Sequence, residues 1–179
     1  HEERITDNEL RQRAAEFTIK EMEESIASEP LNFRNYLYYA NFLSGNYESL
    51  AAVGVSDALV RADEILARAQ ELAPHKPILY LQWGRVKTMM KDDTGAVALL
   101  EKAVALNPAV IDSQVRLAFA YAKAGARERS LEVSRSIFNA NAQLDVRTYI
   151  QFAENFAALG AYDDAIVMAK KAAALDLSL

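Results

Sequence analysis

Few residues in this sequence have the type and spacing that catalysis or metal binding requires. The two histidines are His1, at the N-terminus, and His75, in a turn flanked by Pro74 and Pro77, and there is no cysteine. The sequence contains no His-Glu-x-x-His, no Gly-x-Ser-x-Gly and no glycine-rich phosphate loop. A single histidine in a loop is typically a surface residue. We therefore expect no catalytic residue, no cofactor and no metal site.

Two pairs of adjacent carboxylates are the remaining candidates for acid and base chemistry. Asp92-Asp93 and Asp163-Asp164 occur at turns or predicted helix starts. A carboxylate at that position is stabilised by the positive end of the helix dipole. We interpret both pairs as helix caps, so the chain is predicted not to be an enzyme.

Composition narrows the classes of partner. The net charge of -5 and the pI near 5.1 argue against a general binder of nucleic acid or of anionic membranes, although a local basic patch is allowed. The 51% of hydrophobic residues predict a folded chain. The longest uncharged run, 35–47, is too short to cross a bilayer, which takes about 20 apolar residues. The absence of cysteine leaves the compartment undetermined.

The elements that would position any site are helices. Residues 77–108 predict two antiparallel amphipathic helices that end at Asn107-Pro108. Their packing residues follow an order of large and small side chains: Tyr80, Trp83 and Gly84 in the first helix, and Ala96, Leu100 and Ala103 in the second. This order resembles the tetratricopeptide repeat (TPR), whose unit has about 34 residues. The resemblance implies an all-α fold, a right-handed α-solenoid of TPR-like helix hairpins.

The pattern recurs, and we interpret the chain as a single TPR domain over 1–179. Its predicted parts are an N-terminal extra helix or half-repeat at 1–32, a repeat with a ten-residue insertion at 33–76, and repeats at 77–110, 111–145 and 146–179. Thr6 or Asp7 is expected to cap the first helix, with one apolar side formed by Leu10, Ala14, Phe17, Met22 and Ile26. The insertion, near 45–56, is expected to be a surface loop or helix extension, with a functional lid as the less favoured alternative.

When the repeats are aligned from their first residues, two positions of each repeat have a predicted packing role. Small residues occupy the eighth position and allow close helix approach: Ala40, Gly84, Ala118 and Ala153. Tyr36, Tyr80 and Tyr149 occupy the fourth and are expected to fill the space between repeats. In repeat 111–145 the second helix has Ser130, Ser134 and Ile137 at its packing positions. One extra residue falls near Asn139-Ala140-Asn141-Ala142, which replaces the usual Asn-Pro stop.

The TPR resemblance also implies a concave groove, lined by the first helices, that holds peptides or partner helices. Chaperone-binding members hold a carboxylate with Lys and Asn at set groove positions. Those positions are Leu37, Asn41, Gln82, Asp112 and Arg116 in this sequence, so the two lysines are missing and that activity is not expected.

A narrower resemblance concerns the run Leu72–Tyr80, the segment Ala103–Pro108 and the lengthened first repeat. These are similar to the C-terminal soluble TPR domains of some bacterial O-antigen ligase or polymerase-like membrane proteins. The resemblance implies a fragment of a longer protein, located outside the cytoplasm at the bacterial membrane. Without this resemblance, a cytoplasmic location is the expectation. A start at His1 without Met fits a fragment.

The repeat register predicts which side chains face the groove. The candidate partner-binding residues are Arg34, Tyr38, Asn41, Gln82, Arg85, Arg116, Phe119, Lys123, Arg147, Gln151 and Glu154. Five are basic and one is acidic, which indicates that charge is segregated in a chain whose total is -5. The functional interpretation is a groove for an acidic extended peptide or an anionic glycan-linked group. The alternative, ordinary solvated faces, stays open.

Three functions remain. The leading hypothesis is a non-enzymatic protein-interaction scaffold, as an appendage of a cell-envelope glycan-assembly protein in the narrower version. The alternatives are a domain that completes or regulates an active site elsewhere on the parent chain, and a structural spacer.

The C-terminal helix pair has its own prediction. Leu175, Leu177 and Leu179 follow an alanine-rich helix, and a solenoid needs a polar outer face at its end. We expect self-association through this helix pair, or a further helix supplied by the full protein.

Overall fold

The protein is all-helical. A computed structural model describes residues 6–140 and 144–176, and within these ranges it contains ten α-helices and no β-strand. The helices are α1 (Asp7–Ser28), α2 (Phe33–Gly45), α3 (Tyr47–Ala52), α4 (Ala58–Leu72), α5 (Pro77–Met89), α6 (Asp93–Leu106), α7 (Ile111–Lys123), α8 (Arg127–Asn139), α9 (Val146–Ala158) and α10 (Tyr162–Asp176). The predicted all-α fold with an N-terminal extra helix is confirmed. The predictions for His1, Asn141-Ala142, Leu177 and Leu179 lie outside the described residues.

The helices form two compact units. Unit 1 ends at Asp92 and contains α1 to α5, and unit 2 starts at Asp93 and contains α6 to α10. The division falls between the two helices of the predicted repeat 77–110. The single-domain organisation therefore stays a prediction, and the units are described separately.

In unit 1, α2 packs against α4, and α4 packs in turn against α5. The helical period of α2 directs Tyr39, Ala40 and Leu43 to one side, where they meet Ala62 and Leu66 of α4. Leu43, Ala62 and Leu66 have no exposed surface. The small residue at position 40, predicted to permit close approach, lies in this core.

The N-terminal helix α1 begins where the sequence predicts. The Thr6 hydroxyl accepts a hydrogen bond from the Glu9 backbone N–H (3.3 Å), and the Glu9 carboxylate accepts one from the Thr6 backbone N–H (2.7 Å). The predicted apolar side is wrong in part, because α1 packs on α2 through a narrower stripe. That stripe is Ala15, Ile19, Met22 and Ile26. Leu10 and Phe17 are 52% and 64% exposed.

The predicted insertion is a surface turn in part, over residues 53–57, and a helix in part. It contains the short helix α3, which packs on α4 and buries Leu50 in the core of unit 1. Gly54 follows with φ +92°, a conformation that glycine adopts without strain. The Val55 backbone N–H then donates to the Leu50 carbonyl (2.9 Å) and closes the turn.

In unit 2, α7 pairs with α8 and α9 pairs with α10, while α6 packs on α7. The core is aromatic: Phe152 and Phe156 have no exposed surface. Phe138 lies edge-on to Phe152 at a centroid separation of 4.7 Å. Gly125 and Gly160 follow the first helix of each hairpin with φ +76° and +72°, the left-handed conformation that ends a helix.

A recurring hydrogen bond ties the fourth position of a repeat to the turn before it. Tyr36 donates to the Pro30 carbonyl (2.9 Å) and Tyr80 to the Pro74 carbonyl (2.8 Å). In unit 2 the Gln114 side-chain amide donates to the Pro108 carbonyl (2.6 Å). In these three repeats the side chain at the fourth position thus holds the proline-containing turn before the repeat against the first helix of that repeat.

Candidate partner-binding surface

The residues with catalytic potential do not converge. His75 is exposed in its turn, and Asp163 and Asp164 occupy the first turn of α10. Within the described ranges, no three His, Cys, Asp or Glu side chains are grouped as a metal ion would require. Among the same residues, no helix is both long enough and apolar enough to cross a membrane.

The predicted groove residues of unit 1 lie on two helices that contact each other, α2 and α5. Arg34 and Tyr38 are exposed on α2, one turn apart, and Asn41 is half-buried. Gln82 and Arg85 are half-buried on α5, where the Arg85 guanidinium donates to the Gln82 amide oxygen (2.9 Å). We name this set, Arg34, Tyr38, Asn41, Gln82 and Arg85, the unit 1 face.

Tyr38 is the unusual member of the unit 1 face. Its neighbours Tyr36 and Tyr39 are 8% and 3% exposed, whereas Tyr38 is 59% exposed. The helical period explains the difference, because the residue beside two core positions points to the opposite side of α2. An exposed aromatic ring next to an arginine is therefore a product of register, and it is available for contact.

The predicted groove residues of unit 2 lie on α7 and α9, and they are not equivalent. Arg116 is paired with Asp112 one turn earlier (3.0 Å), so its charge is partly compensated within α7. Lys123 is exposed at the end of the same helix. On α9 the exposed members are Arg147, Gln151 and Glu154.

Phe119 differs from its predicted role. Its ring is half-buried and packs on Phe152 at a centroid separation of 4.8 Å. Phe119 therefore belongs mainly to the aromatic core of unit 2, and only part of its ring could contact a partner. Tyr38 is left as the exposed aromatic among the predicted residues.

Two networks that sequence reasoning missed hold the first helices in place. In unit 1 the Tyr39 hydroxyl donates to Glu23 of α1 (3.0 Å) and accepts a hydrogen bond from Arg61 of α4. In unit 2 the Tyr121 hydroxyl donates to Glu101 of α6 (2.6 Å), while the Arg129 guanidinium lies 5.6 Å from the Tyr121 ring centroid.

Each network joins three helices through one tyrosine. Burial, followed by the hydrogen bond to Glu23, raises the pKa of Tyr39 to about 12. Burial likewise raises the pKa of Tyr121. The tyrosines are structural, since their hydroxyls are engaged within the protein. No regular sequence spacing signals these networks.

The insertion borders a concave surface in unit 1. An open groove of about 590 Å³ lies between α1, the end of α2 and α3. Phe42 and Leu50 are among its apolar lining residues, and Arg11 and Glu48 are its charged ones. Its charges are balanced, so it offers no preference for an anionic partner.

The chain was compared with known proteins. No family model matches it, and no curated protein matches it. Solved structures do. A structure described as MamA is 19% identical, with a TM-score of 0.66, 97% of this chain covered and 96% of that chain. MamA 41-end from Desulfovibrio magneticus RS-1 is 18% identical, with a TM-score of 0.68 and 97% of both chains covered.

A third similar structure is the putative kinesin light chain of Podosopora anserina, described as having nearly identical TPR-like repeats. It is 18% identical, with a TM-score of 0.64, 96% of this chain covered and 93% of that chain. At these identities the likeness concerns the fold. The hairpins, their small packing residues and these structures together show that the chain has a TPR-like helical-repeat fold.

Proposed function

We propose that this chain is a non-enzymatic protein-interaction module that binds an acidic, extended segment, chiefly on the unit 1 face. A TPR-like fold supports a binding role, because the family presents its first helices to partners. The observation that carries the choice of ligand is the composition of the unit 1 face. It has two arginines and no acidic residue, in a chain whose net charge is -5.

The side chains of the unit 1 face suit an extended peptide. Asn41 and Gln82 carry amides that donate and accept, as the backbone of an extended segment requires. Arg34 offers an exposed planar guanidinium group, which binds carboxylates with two parallel hydrogen bonds, and Arg85 adds a second positive charge. Tyr38 adds a rigid apolar surface with a polar tip, a property that favours aromatic residues at interfaces.

Unit 2 contributes less to binding in this proposal. Arg116 already pairs with Asp112, and Glu154 would repel an acidic ligand. Because exposed charges are screened beyond about 8 Å at physiological ionic strength, the whole interaction should weaken with salt.

The test is a matched pair of charge reversals in unit 1. The double variant Arg34→Glu, Arg85→Glu changes the unit 1 face. The control, Lys20→Glu, Arg68→Glu, makes the same change of charge on α1 and α4, where both residues are exposed and form ion pairs with Glu24 and Glu71. Loss of such surface pairs costs about 0–1 kcal/mol, so the control should stay folded.

Binding would be measured by fluorescence anisotropy with short labelled peptides rich in Asp and Glu, at low and physiological salt. We expect the face variant to bind at least about tenfold more weakly and the control to bind nearly as the parent, since charge-assisted pairs contribute about 1.5–3 kcal/mol each. Arg116→Glu should have a smaller effect. Equal binding by two folded double variants would exclude the unit 1 face. Preference for an anionic oligosaccharide over the peptides would assign the face to the glycan-linked ligand.

The more specific predictions remain proposals that are supported only by short sequence similarities. These are the extracytoplasmic location, the O-antigen ligase-like parent, and the alternatives of a domain completing an active site or a spacer. The similar structures described above lend no support to an O-antigen ligase parent. Transmembrane segments immediately upstream in the parent gene would support the envelope location.

A further inference from the structure

The last described helix presents an apolar stripe to solvent. α10 buries Met168 and Ala172 against the core of unit 2, where they are 3% and 5% exposed. On another side the stripe consists of Tyr162, Ile166, Ala169 and Ala173, all exposed and spaced by four, three and four residues. Tyr162 is 67% exposed and Ile166 is 53% exposed. Such spacing places side chains on one side of a helix.

Large and small residues are segregated along this stripe. The two large side chains, Tyr162 and Ile166, occupy the N-terminal half of α10, and the two alanines occupy the C-terminal half. Ala169 and Ala173 also border an open groove of about 300 Å³ between α9 and α10. The remaining lining residues are Val146, Ile150, Ala153, Glu154 and Ala172.

The charged residues of α10 lie on two different sides of the helix. Asp164 pairs with Arg135 of α8 (2.7 Å), and the Lys171 ammonium lies 5.7 Å from the Tyr149 ring centroid, so both lie at the surface on the side of α10 next to α8 and α9. Asp163 and Lys170 are exposed beside the apolar stripe, and in the described part of the chain neither takes part in an ion pair. α10 therefore has an unpaired acid at its start and an unpaired base two turns later.

We propose that two copies of this chain associate through antiparallel pairing of their α10 helices about a two-fold axis. Placing Ile166 opposite Ala169 of the second copy also places Tyr162 opposite Ala173. Each large side chain then meets a small one, as close helix packing requires. Two-fold symmetry makes every such contact twice.

The same register matches the charges. Asp163 comes within about one helical turn of Lys170 of the second copy, and Lys170 comes within a turn of that copy's Asp163. Parallel pairing would instead set Tyr162 against Tyr162 and alanine against alanine, and it would place Asp163 and Lys170 of the two copies on opposite sides of the contact, where they cannot pair. Both size and charge thus select the antiparallel arrangement.

The groove beside Ala173 can bind the Tyr162 ring of the second copy. In the antiparallel register Tyr162 lies above Ala173, next to Ile150, which is 45% exposed on α9. Burial of an aromatic side chain in such a site removes about 150–250 Å² from water. Tyr162 should therefore be the main anchor, with the charged pairs setting the direction of pairing.

The experiment is sedimentation equilibrium on the chain and on two single charge reversals, Asp163→Lys and Lys170→Asp. Each variant alone places like charges at both symmetric pairs, so its dimer dissociation constant should rise at least about tenfold. In an equimolar mixture of the two variants, a heterodimer has opposite charges at both pairs. The mixture should therefore regain the affinity of the parent.

Two further variants test the apolar contact. Ala173→Glu lies on the exposed surface of α10 and should leave helix content unchanged by circular dichroism while weakening dimerisation at least about tenfold, because it fills the part of the groove where Tyr162 binds. Lys102→Asp, on the exposed side of α6, is the charge control and should dimerise as the parent does.

The proposal would be overturned if the unsubstituted chain stayed monomeric at every concentration tested. It would also be overturned by a dimer that is unaffected by Ala173→Glu, or by a mixture of the two charge variants that associates no better than each variant alone. The proposal is independent of the unit 1 face, since Arg34→Glu, Arg85→Glu should leave the dimer unchanged.

Discussion

Two buried serines on α8 provide a matched test of how polar groups are accommodated in unit 2. Ser130 and Ser134 lie one turn apart on the same side of the helix, and both have no exposed surface. The Ser130 hydroxyl donates to the Ala118 carbonyl (2.8 Å) and accepts from the Asn155 side-chain amide (3.2 Å). The Ser134 hydroxyl has no hydrogen-bond partner in the part of the chain that the structure describes.

The two alanine substitutions should therefore change stability in opposite directions. An unsatisfied buried hydroxyl costs about 1–3 kcal/mol, and Ser134→Ala removes that cost. The volume lost on substitution is small, and it reduces this gain in stability by up to about 0.8 kcal/mol, the value of one buried methylene. We expect Ser134→Ala to stabilise unit 2 by about 1 kcal/mol. Ser130→Ala breaks two hydrogen bonds and leaves the Asn155 amide without its acceptor, so it should destabilise by about 1–3 kcal/mol.

The measurement is urea unfolding followed by circular dichroism, with hydrogen exchange of the α8 amides to report on unit 2 itself. The helix propensity gained by replacing serine with alanine is common to both variants and cancels in their difference. The reasoning is refuted if Ser134→Ala is no more stable than the parent, or if both variants shift stability equally. The first result would mean that the Ser134 hydroxyl is hydrogen-bonded to a partner or a water molecule, and the second would mean that the two serines do not differ in how well they are accommodated.

Three further predictions concern other packing features. Phe152→Ala should destabilise the protein by about 3–5 kcal/mol in urea unfolding, because its ring is fully buried; a loss below about 1 kcal/mol would contradict the aromatic core. Tyr80→Phe should cost about 1 kcal/mol in the same assay by removing the hydrogen bond to the Pro74 carbonyl. The pKa of Tyr39 is raised to about 12, so its protonated form stabilises the fold below the unfolded pKa of about 10 and this stability is lost between about pH 10 and 12. Tyr39→Phe should show a smaller loss of unfolding free energy over that window, and an unchanged pH profile would count against the raised pKa of Tyr39.

The sequence alone determined the helices and much of their packing. Apolar spacing near 3.6 residues, prolines before helix starts and glycines after helix ends act within a few residues of the chain, so they can be interpreted without knowledge of the tertiary structure. The helix start at Thr6 or Asp7 and the buried positions of Ala40, Ala118 and Phe152 follow from that local pattern, and the structure selects Thr6 as the cap. The exposure of Tyr38 follows from it as well.

Only the tertiary structure decided which side chains contact a residue of another helix. Sequence places Phe119 on the exposed side of α7, but the approach of α9 brings Phe152 against it. The sequence pattern does not separate Asp163 from Asp164, yet only Asp164 comes within reach of Arg135 of α8.

The three-helix network of Glu23, Tyr39 and Arg61 depends on the same kind of information, since Glu23 and Arg61 are 38 residues apart in the chain. Contacts at that separation depend on helix crossing angles and axial offsets, which a repeat pattern leaves free within a range of degrees and ångströms. A hydrogen bond or an ion pair requires its atoms to be placed within a few tenths of an ångström. The periodicity of the sequence therefore determined the faces of the helices, and packing determined their partners.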